Sequence, residues 1–285
     1  MGEAGPLSLF SIPASAAVAG RRVLKNGDSF AVFDAFGHAQ ATGAAAEGLF
    51  FEDTRFLSQL ALTIGGQPPL LLSSAVTEGH TLLSVDLANP ALDGEEQTRL
   101  AESTVHVRNA IILGPNALFA ALELENFADA PVRVEIALHY AADFADIFEV
   151  RGAVRPRRGE ILPPEPVPAG WLLLYRGLDR VTRRTRIAFD PPPDGGEPGY
   201  AVWQLDLAQG GRQSLCVEFH CERDSGGPAR SSRRSSIAEG RRWARERRAQ
   251  TASIRTDNEA FDEWLRCSRA DLDMLTTETP QGLYP

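Results

Sequence analysis

Lysine is almost absent. Lys25 is the only one in 285 residues, and arginine supplies nearly all of the positive charge. Positive charge is itself in deficit, with 29 Lys and Arg against 38 Asp and Glu and a formal net charge of -9. Phosphate backbones require a basic surface, so nucleic acid is excluded as an expected partner. No run of about 18 apolar residues occurs, so no membrane-spanning helix is expected. The start, MGEAGPLSLFSIPASAAV, has Glu3 where an export signal carries positive charge, and Pro6 and Pro13 interrupt its apolar part. Residues 1–19 therefore read as a ragged N-terminus and not as a leader.

Cysteine is scarce as well: Cys216, Cys221 and Cys267. The first two are five positions apart in SLCVEFHCE, which on a strand places them on opposite faces, so they cannot pair within it. A sparse, odd set is no disulfide framework and agrees with a reducing, cytoplasmic compartment. Metal is not expected either. His220 and Cys216 share a strand face but lie too far apart for a tetrahedral pair, and neither CxxC nor HxxxH occurs. No cofactor is expected. His38, His80, His106 and His139 fall in turns or on strands without a matching Ser or Cys nucleophile, so no catalytic triad is assigned.

From about residue 20 to 222 the chain has period two with turn punctuation. PVRVEIALHY places Val132, Val134, Ile136, Leu138 and Tyr140 on one face and Arg133, Glu135 and His139 on the other. ALFAALELE does the same, with Leu118, Leu122 and Leu124 inward. NFADAP between these two has the composition of a hairpin loop, and LALTIGGQPPLLLSS reads as another hairpin turning at Gly65–Gly66. Further strands read from SFAVFD, HTLLSVDL, TVHVRNAIIL, WLLLYRG, RTRIAFD, YAVWQLDL and RQSLCVEFHC. Ten or more short strands without intervening helices predict a mainly β fold, a large antiparallel β-sandwich over residues 20–222. Trp171, Tyr175 and Trp203 are in phase with core leucines and read as core, leaving no exposed aromatic row of the kind that stacks on sugar rings.

The pattern changes after Glu222. Residues 223–255 form an Arg- and Ser-rich linker followed by a helix in SIAEGRRWARERRAQ. Nine arginines fall between 223 and 248, but acids dilute them and no aromatic pattern accompanies them, so they read as solvated. A second helix is predicted in TDNEAFDEWLRCSRADLDML, capped by Thr256 or Asp257, with Glu259 in its first turn. Phe261, Trp264, Leu265, Leu272 and Leu275 trace one apolar stripe that needs something to pack against. Trp243 and Trp264 belong to contacts with the sandwich or with a further domain.

Two stretches hold the candidate site residues. ADFADIFEVRG brings Asp143, Asp146 and Glu149 within seven positions, among Phe144, Ile147 and Phe148, with Arg151 following. Carboxylates beside rings suggest sugar cleavage, which for inversion needs two opposed carboxyls about 6.5–9.5 Å apart. Acids three apart on one helix point the same way instead, with the rings on the opposite flank. The expected role is therefore structural or interdomain, with Asp143 or Asp146 pairing with an arginine, such as Arg151 or one on a further domain. FEDTRF is read likewise, Asp53 capping a turn through its own backbone and Arg55 bracing a loop. The sharper alternative is that these six line the rim of a sugar cleft.

Together, LKNGDSFAVFDAFG (24–37), GLFFEDTRFLSQLALTIGG (48–66), PLLLSS (69–74) and YAADFADIFEVRG (140–152) resemble the N-terminal domain of bacterial glycogen debranching enzymes of the amylo-alpha-1,6-glucosidase type. DTRFLS joined to DFADIFEVRG about ninety residues later is the most specific pairing. WLRCSRADLDMLTTETPQGLYP looks like the lead-in to that family's catalytic (α/α)6 barrel, so residues 256–285 would be its first helix and approach. The resemblance covers most of residues 20 to 285. It implies a chain that ends at Pro285 before the catalytic acids and a Gly-Arg-Asp motif, with no catalytic residue of its own. The implied partner is a catalytic barrel in the same polypeptide, with α-glucan as ligand. The alternatives are a stand-alone α-glucan-binding module and a scaffold that self-associates through the orphan helix.

Overall fold

The computed structural model describes residues 20–40, 46–77, 79–93, 99–224, 232–238, 242, 254–279 and 282–284. An eight-stranded sheet and a five-stranded sheet form the body, with every strand pairing antiparallel. The larger has the order β12 (Glu160–Val167), β13 (Gly170–Arg176), β14 (Thr182–Asp190), β17 (Arg212–Arg223), β10 (Ala117–Asn126), β9 (Val105–Leu113), β8 (Leu82–Ala88), β7 (Leu70–Val76). The smaller runs β15 (Gly195–Glu197), β16 (Tyr200–Leu207), β11 (Val132–Ala141), β6 (Gln59–Ile64), β3 (Ala39–Gln40). A four-stranded sheet, β1 (Arg22–Asn26), β2 (Ser29–Phe33), β4 (Gly48–Phe51) and β5 (Thr54–Leu57), packs Leu24, Phe33, Leu49 and Leu57 into the same core.

Alternation explains the layering. Leu118, Ala120, Leu122 and Leu124 of β10 face Val134, Ile136 and Leu138 of β11 across one continuous core. Aromatic rings bridge the two sheets. Tyr140 of β11 lies 6.0 Å from Phe189 and 6.2 Å from Phe219, and Trp203 of β16 lies 5.7 Å from Phe189. Burial pushes the Tyr140 phenol up to about 12. Cys221 faces this core while Cys216 lies on the outer face, as their spacing requires.

Both predicted hairpins are sheet-changing connections. Gly65 and Gly66 do take positive φ, at 57° and 73°, but the chain leaves β6 in the small sheet and enters β7 at the edge of the large one. NFADAP likewise carries the chain from β10 to β11 in the facing sheet. Turn residues report that the chain reverses; they do not report which layer receives it.

The outer edge of the large sheet, β12, contains Pro163, Pro164 and Pro166, and its register shifts between Leu162 and Glu165. On the outer face of that sheet, Ile112, Ala117 and Phe119 form a small cluster partly covered by Ile237 of the helical residues 233–238. Most of the helix expected over 236–250, with Trp243, lies outside the described residues. The long helix spans Glu259–Leu275. Asn258, not Thr256 or Asp257, sits at its N-terminus, its Oδ1 accepting from Phe261 N–H at 3.1 Å; Asn caps as well as Asp or Thr. Phe261, Trp264, Leu272 and Leu275 of its apolar stripe are exposed. A short pair, β18 (Thr277–Thr279) and β19 (Gly282–Tyr284), follows. No helix among the described residues is long and apolar enough to cross a membrane.

Candidate functional site

The two predicted stretches, almost ninety residues apart in sequence, lie side by side. β4 and β5 are joined by Glu52 and Asp53, both left-handed (φ 45° and 60°), the geometry of a two-residue type I′ hairpin. Residues 141–147 then run along β5: Ser58 N–H donates to Ala141 O, Arg55 N–H to Ala145 O, and Ile147 N–H to Asp53 O. Asp53 thus acts through its carbonyl, and its side chain is exposed.

Arg55 holds the two stretches together. It is 6% exposed and grips Asp143 with two hydrogen bonds, Nε to Oδ1 at 3.1 Å and Nη2 to Oδ2 at 2.5 Å. Its Nη1 donates to Glu47 O at 3.2 Å, and its guanidinium lies 6.0 Å from the Phe50 ring centroid. This fork geometry is what arginine provides and lysine does not. The next residue, Phe144, is also left-handed (φ 50°), which turns its ring inward. There it stacks on Tyr175 at 5.5 Å and meets Phe56 edge-on at 5.6 Å. A non-glycine residue holds that conformation only where its surroundings compensate, here by burying the ring to 3% exposure.

The other two acids shape the one-turn helix Ile147–Val150. Asp146 is its N-cap, accepting from Phe148 N–H at 2.8 Å and Glu149 N–H at 3.0 Å, while Glu149 Oε2 accepts from Asp146 N–H at 3.0 Å. This reciprocal arrangement is a capping box. Each acid also meets an arginine, Asp146 with Arg155 at 2.7 Å and Glu149 with Arg158 at 2.8 Å. Burial tends to raise the Asp146 pKa, but the backbone donors and Arg155 outweigh it and hold the carboxyl below its ordinary value. Arg158 also donates to Asp143 O at 2.8 Å. Arg151 is exposed at the C-terminal end of the turn, its N–H donating to Ile147 O. The arginines that neutralise the acids are therefore 55, 155 and 158, not Arg151. Phe148 is exposed, with Arg155 over its ring at 5.7 Å.

These groups form a brace. Asp143 bonds inward to Arg55, and Asp146 and Glu149 share one helical turn, so each of the three already has partners. A cleft of about 390 Å³ lies elsewhere, over the outer face of the eight-stranded sheet, and none of the six predicted residues lines it. Among the described residues no three metal-binding side chains cluster. The polar residues that the strands bring to the cleft, Arg108, Glu123, Asp190 and Ser214, were not legible as a group in the sequence. Their outward phase was readable on their separate strands, but only long-range pairing brings them together.

Residues 24–218 match the family described as the N-terminal domain of (some) glycogen debranching enzymes. A comparison with curated proteins finds no match. Among solved structures, the chain is similar to a putative kojibiose phosphorylase from the human microbiome, at 9% identity and a TM-score of 0.49. That match covers 91% of this chain and 36% of the phosphorylase, so the chain spans about a third of that protein's length. It is also similar to a putative aldose 1-epimerase from Escherichia coli K12, at 10% identity and a TM-score of 0.38, covering 71% and 99% of the two chains. A heparan sulfate lyase from Pedobacter heparinus matches at 10% identity and a TM-score of 0.34, covering 77% and 38%.

Proposed function

Because the chain belongs to the family of N-terminal domains of glycogen debranching enzymes, we propose that it is the non-catalytic wall of a debranching-type glycoside hydrolase. The parent enzyme would hydrolyse α-1,6 branches of glycogen or a related α-glucan with acids carried on an (α/α)6 barrel of the same polypeptide. Residues 20–222 would support that barrel and shape its active-site mouth, in the cytoplasm. The observation that carries this reading is the engagement of Asp143, Asp146 and Glu149 with Arg55, Arg155 and Arg158 and with a capping box. A carboxyl committed in this way is a poor proton donor to a leaving oxygen, because donation breaks its own bonds.

The exposed stripe Phe261, Trp264, Leu272 and Leu275 supports the same reading, as the face on which neighbouring barrel helices would pack. In that assembly Asp53 and Arg151, both exposed, would meet the barrel at the domain face. Arg55, Asp143, Asp146 and Glu149 would hold the loop that carries them. The test is hydrolysis of a branched limit dextrin by the purified 285-residue chain. No glucose release is expected. Release proportional to chain concentration and lost in Asp143→Asn, Asp146→Asn or Glu149→Gln would end the proposal.

A further inference from the structure

We propose that the outer face of the eight-stranded sheet carries a binding trough for a short, neutral, polyhydroxylated chain, and specifically for α-linked glucose units. The strand register builds it. Ser84, Ala110, Ala121, Cys216 and Asp190 are successive cross-strand partners on β8, β9, β10, β17 and β14, so one row across five strands consists of small residues ending in a carboxylate. The adjacent row is Asp86, Arg108, Glu123 and Ser214. On the other side Ile112 and Phe119 rise with Ile237 above them, and Arg233 comes from that same helical segment. Small side chains between taller rows leave a depression, and the cleft of about 390 Å³ occupies it. Its lining strands β9, β10, β17 and β14 span about 14 Å at about 4.8 Å per strand spacing. Its volume is within the range of small-molecule sites.

The lining selects the ligand class. Arg108 and Arg233 stand against Glu123 and Asp190, so the charges cancel and neither an anion nor a cation is favoured. The nearest ion pairs are loose: Arg108 to Asp86 at 3.6 Å and Glu123 to Arg212 at 3.7 Å exceed hydrogen-bond length. Guanidinium and carboxylate groups each offer paired donors or acceptors, which match the adjacent hydroxyls of a sugar ring. Ala110, Ala121 and Cys216 supply an apolar floor for the C–H face of such a ring. The Cys216 thiol takes no ionic part, since burial pushes its pKa up. The class, a neutral polyol, rests on this geometry; the choice of α-linked glucose rests on the proposed function.

The test is calorimetric titration of the 285-residue chain with maltoheptaose, cellohexaose and inorganic phosphate. Maltoheptaose is expected to bind. Asp190→Asn with Arg108→Gln should weaken it about tenfold or more, as loss of one or two charge-assisted hydrogen bonds requires. Ala121→Trp fills the floor and should abolish binding, while Arg133→Ala on the other sheet should leave it unchanged. If Ala121→Trp does not fold, the rim pair, on exposed positions, still decides. Failure of all three probes to bind, tighter binding of phosphate, or maltoheptaose binding unaffected by the rim pair would each overturn the trough. Preference for cellohexaose with the same mutational pattern would keep the trough and reject its assignment to α-glucan. None of these results bears on the scaffolding role, which the hydrolysis assay tests by itself.

Discussion

Asp143→Asn removes the charge that Arg55 grips while keeping the side chain's size. Breaking a buried ion pair by removing one partner costs about 3–5 kcal/mol. Here the loss falls just below that range, because the pair is only partly buried. The Asp143 side chain is 31% exposed against 8% for Arg55, so water relieves part of the loss, and Arg55 keeps Glu47 O and the Phe50 ring. We expect a loss of about 2–3 kcal/mol, or a fall in Tm of about 5–10 °C for a domain of this size. Arg55→Met forfeits the Glu47 bond as well and should cost somewhat more. In urea melts of both single variants and the double variant, the double should be less destabilised than the sum by about 1–2 kcal/mol, since each single change already breaks the shared pair. A loss under about 0.5 kcal/mol for Asp143→Asn, with additive singles, would refute the brace. Normal stability combined with lost α-glucan binding would place Asp143 at a ligand instead.

Three further outcomes follow from the same structure. His38 is buried, its Nε2 accepts Leu62 N–H at 3.1 Å, and burial lowers its pKa from 6.5 to about 4. The unfolded chain therefore binds the extra proton first, so this stability is full above pH 6.5 and is lost as the pH falls through about 4, amounting to about 3 kcal/mol. Neighbouring Asp34 is raised above 3.8 by burial, so its contribution is present below 3.8 and is lost as the pH rises through its folded value, opposing His38 at the acid end of the same window. His38→Gln should flatten the slope between about pH 4 and 6.5 in denaturant melts. Asp146→Ala should lower stability by about 1–2 kcal/mol and Asp146→Ser should recover most of it, as an N-cap requires. Trp264→Gln with Leu272→Gln should change the melting of the 285-residue chain by under about 0.5 kcal/mol each, yet reduce binding of a hydrophobic dye; a large melting shift would mean that the stripe is already packed.

The β-rich architecture was readable because one-sided burial imposes period two, which β16 obeys residue by residue and β10, β11 and β17 over part of their length. Trp203 and Tyr140 are in the core for the same local reason. The two sheet-changing connections were not readable, because Gly65–Gly66 and NFADAP specify reversal but not the receiving layer. At the site, the clustering of Asp143, Asp146 and Glu149 was visible, as was their amphipathic setting. The partner of Asp143 was not: Arg55 lies 88 positions away, and only the pairing of β5 with residues 141–147 brings it close. Arg151, near in sequence, is one candidate partner, yet it lies exposed at the far end of the turn. The trough was hidden for a related reason, since its four charged residues come from four separate segments.

The prolines of β12 have an effect beyond their own strand. Each removes an amide donor, and the register shift beside them bends the rim, so that side of the large sheet cannot template another chain. The opposite rim, β7, has no proline, but its register with β8 also shifts, between Leu71 and Ser73. Both borders of the large sheet are thus broken out of the flat, regular ladder that a further strand needs, and neither offers an uninterrupted row of donors and acceptors along which copies of the chain could add.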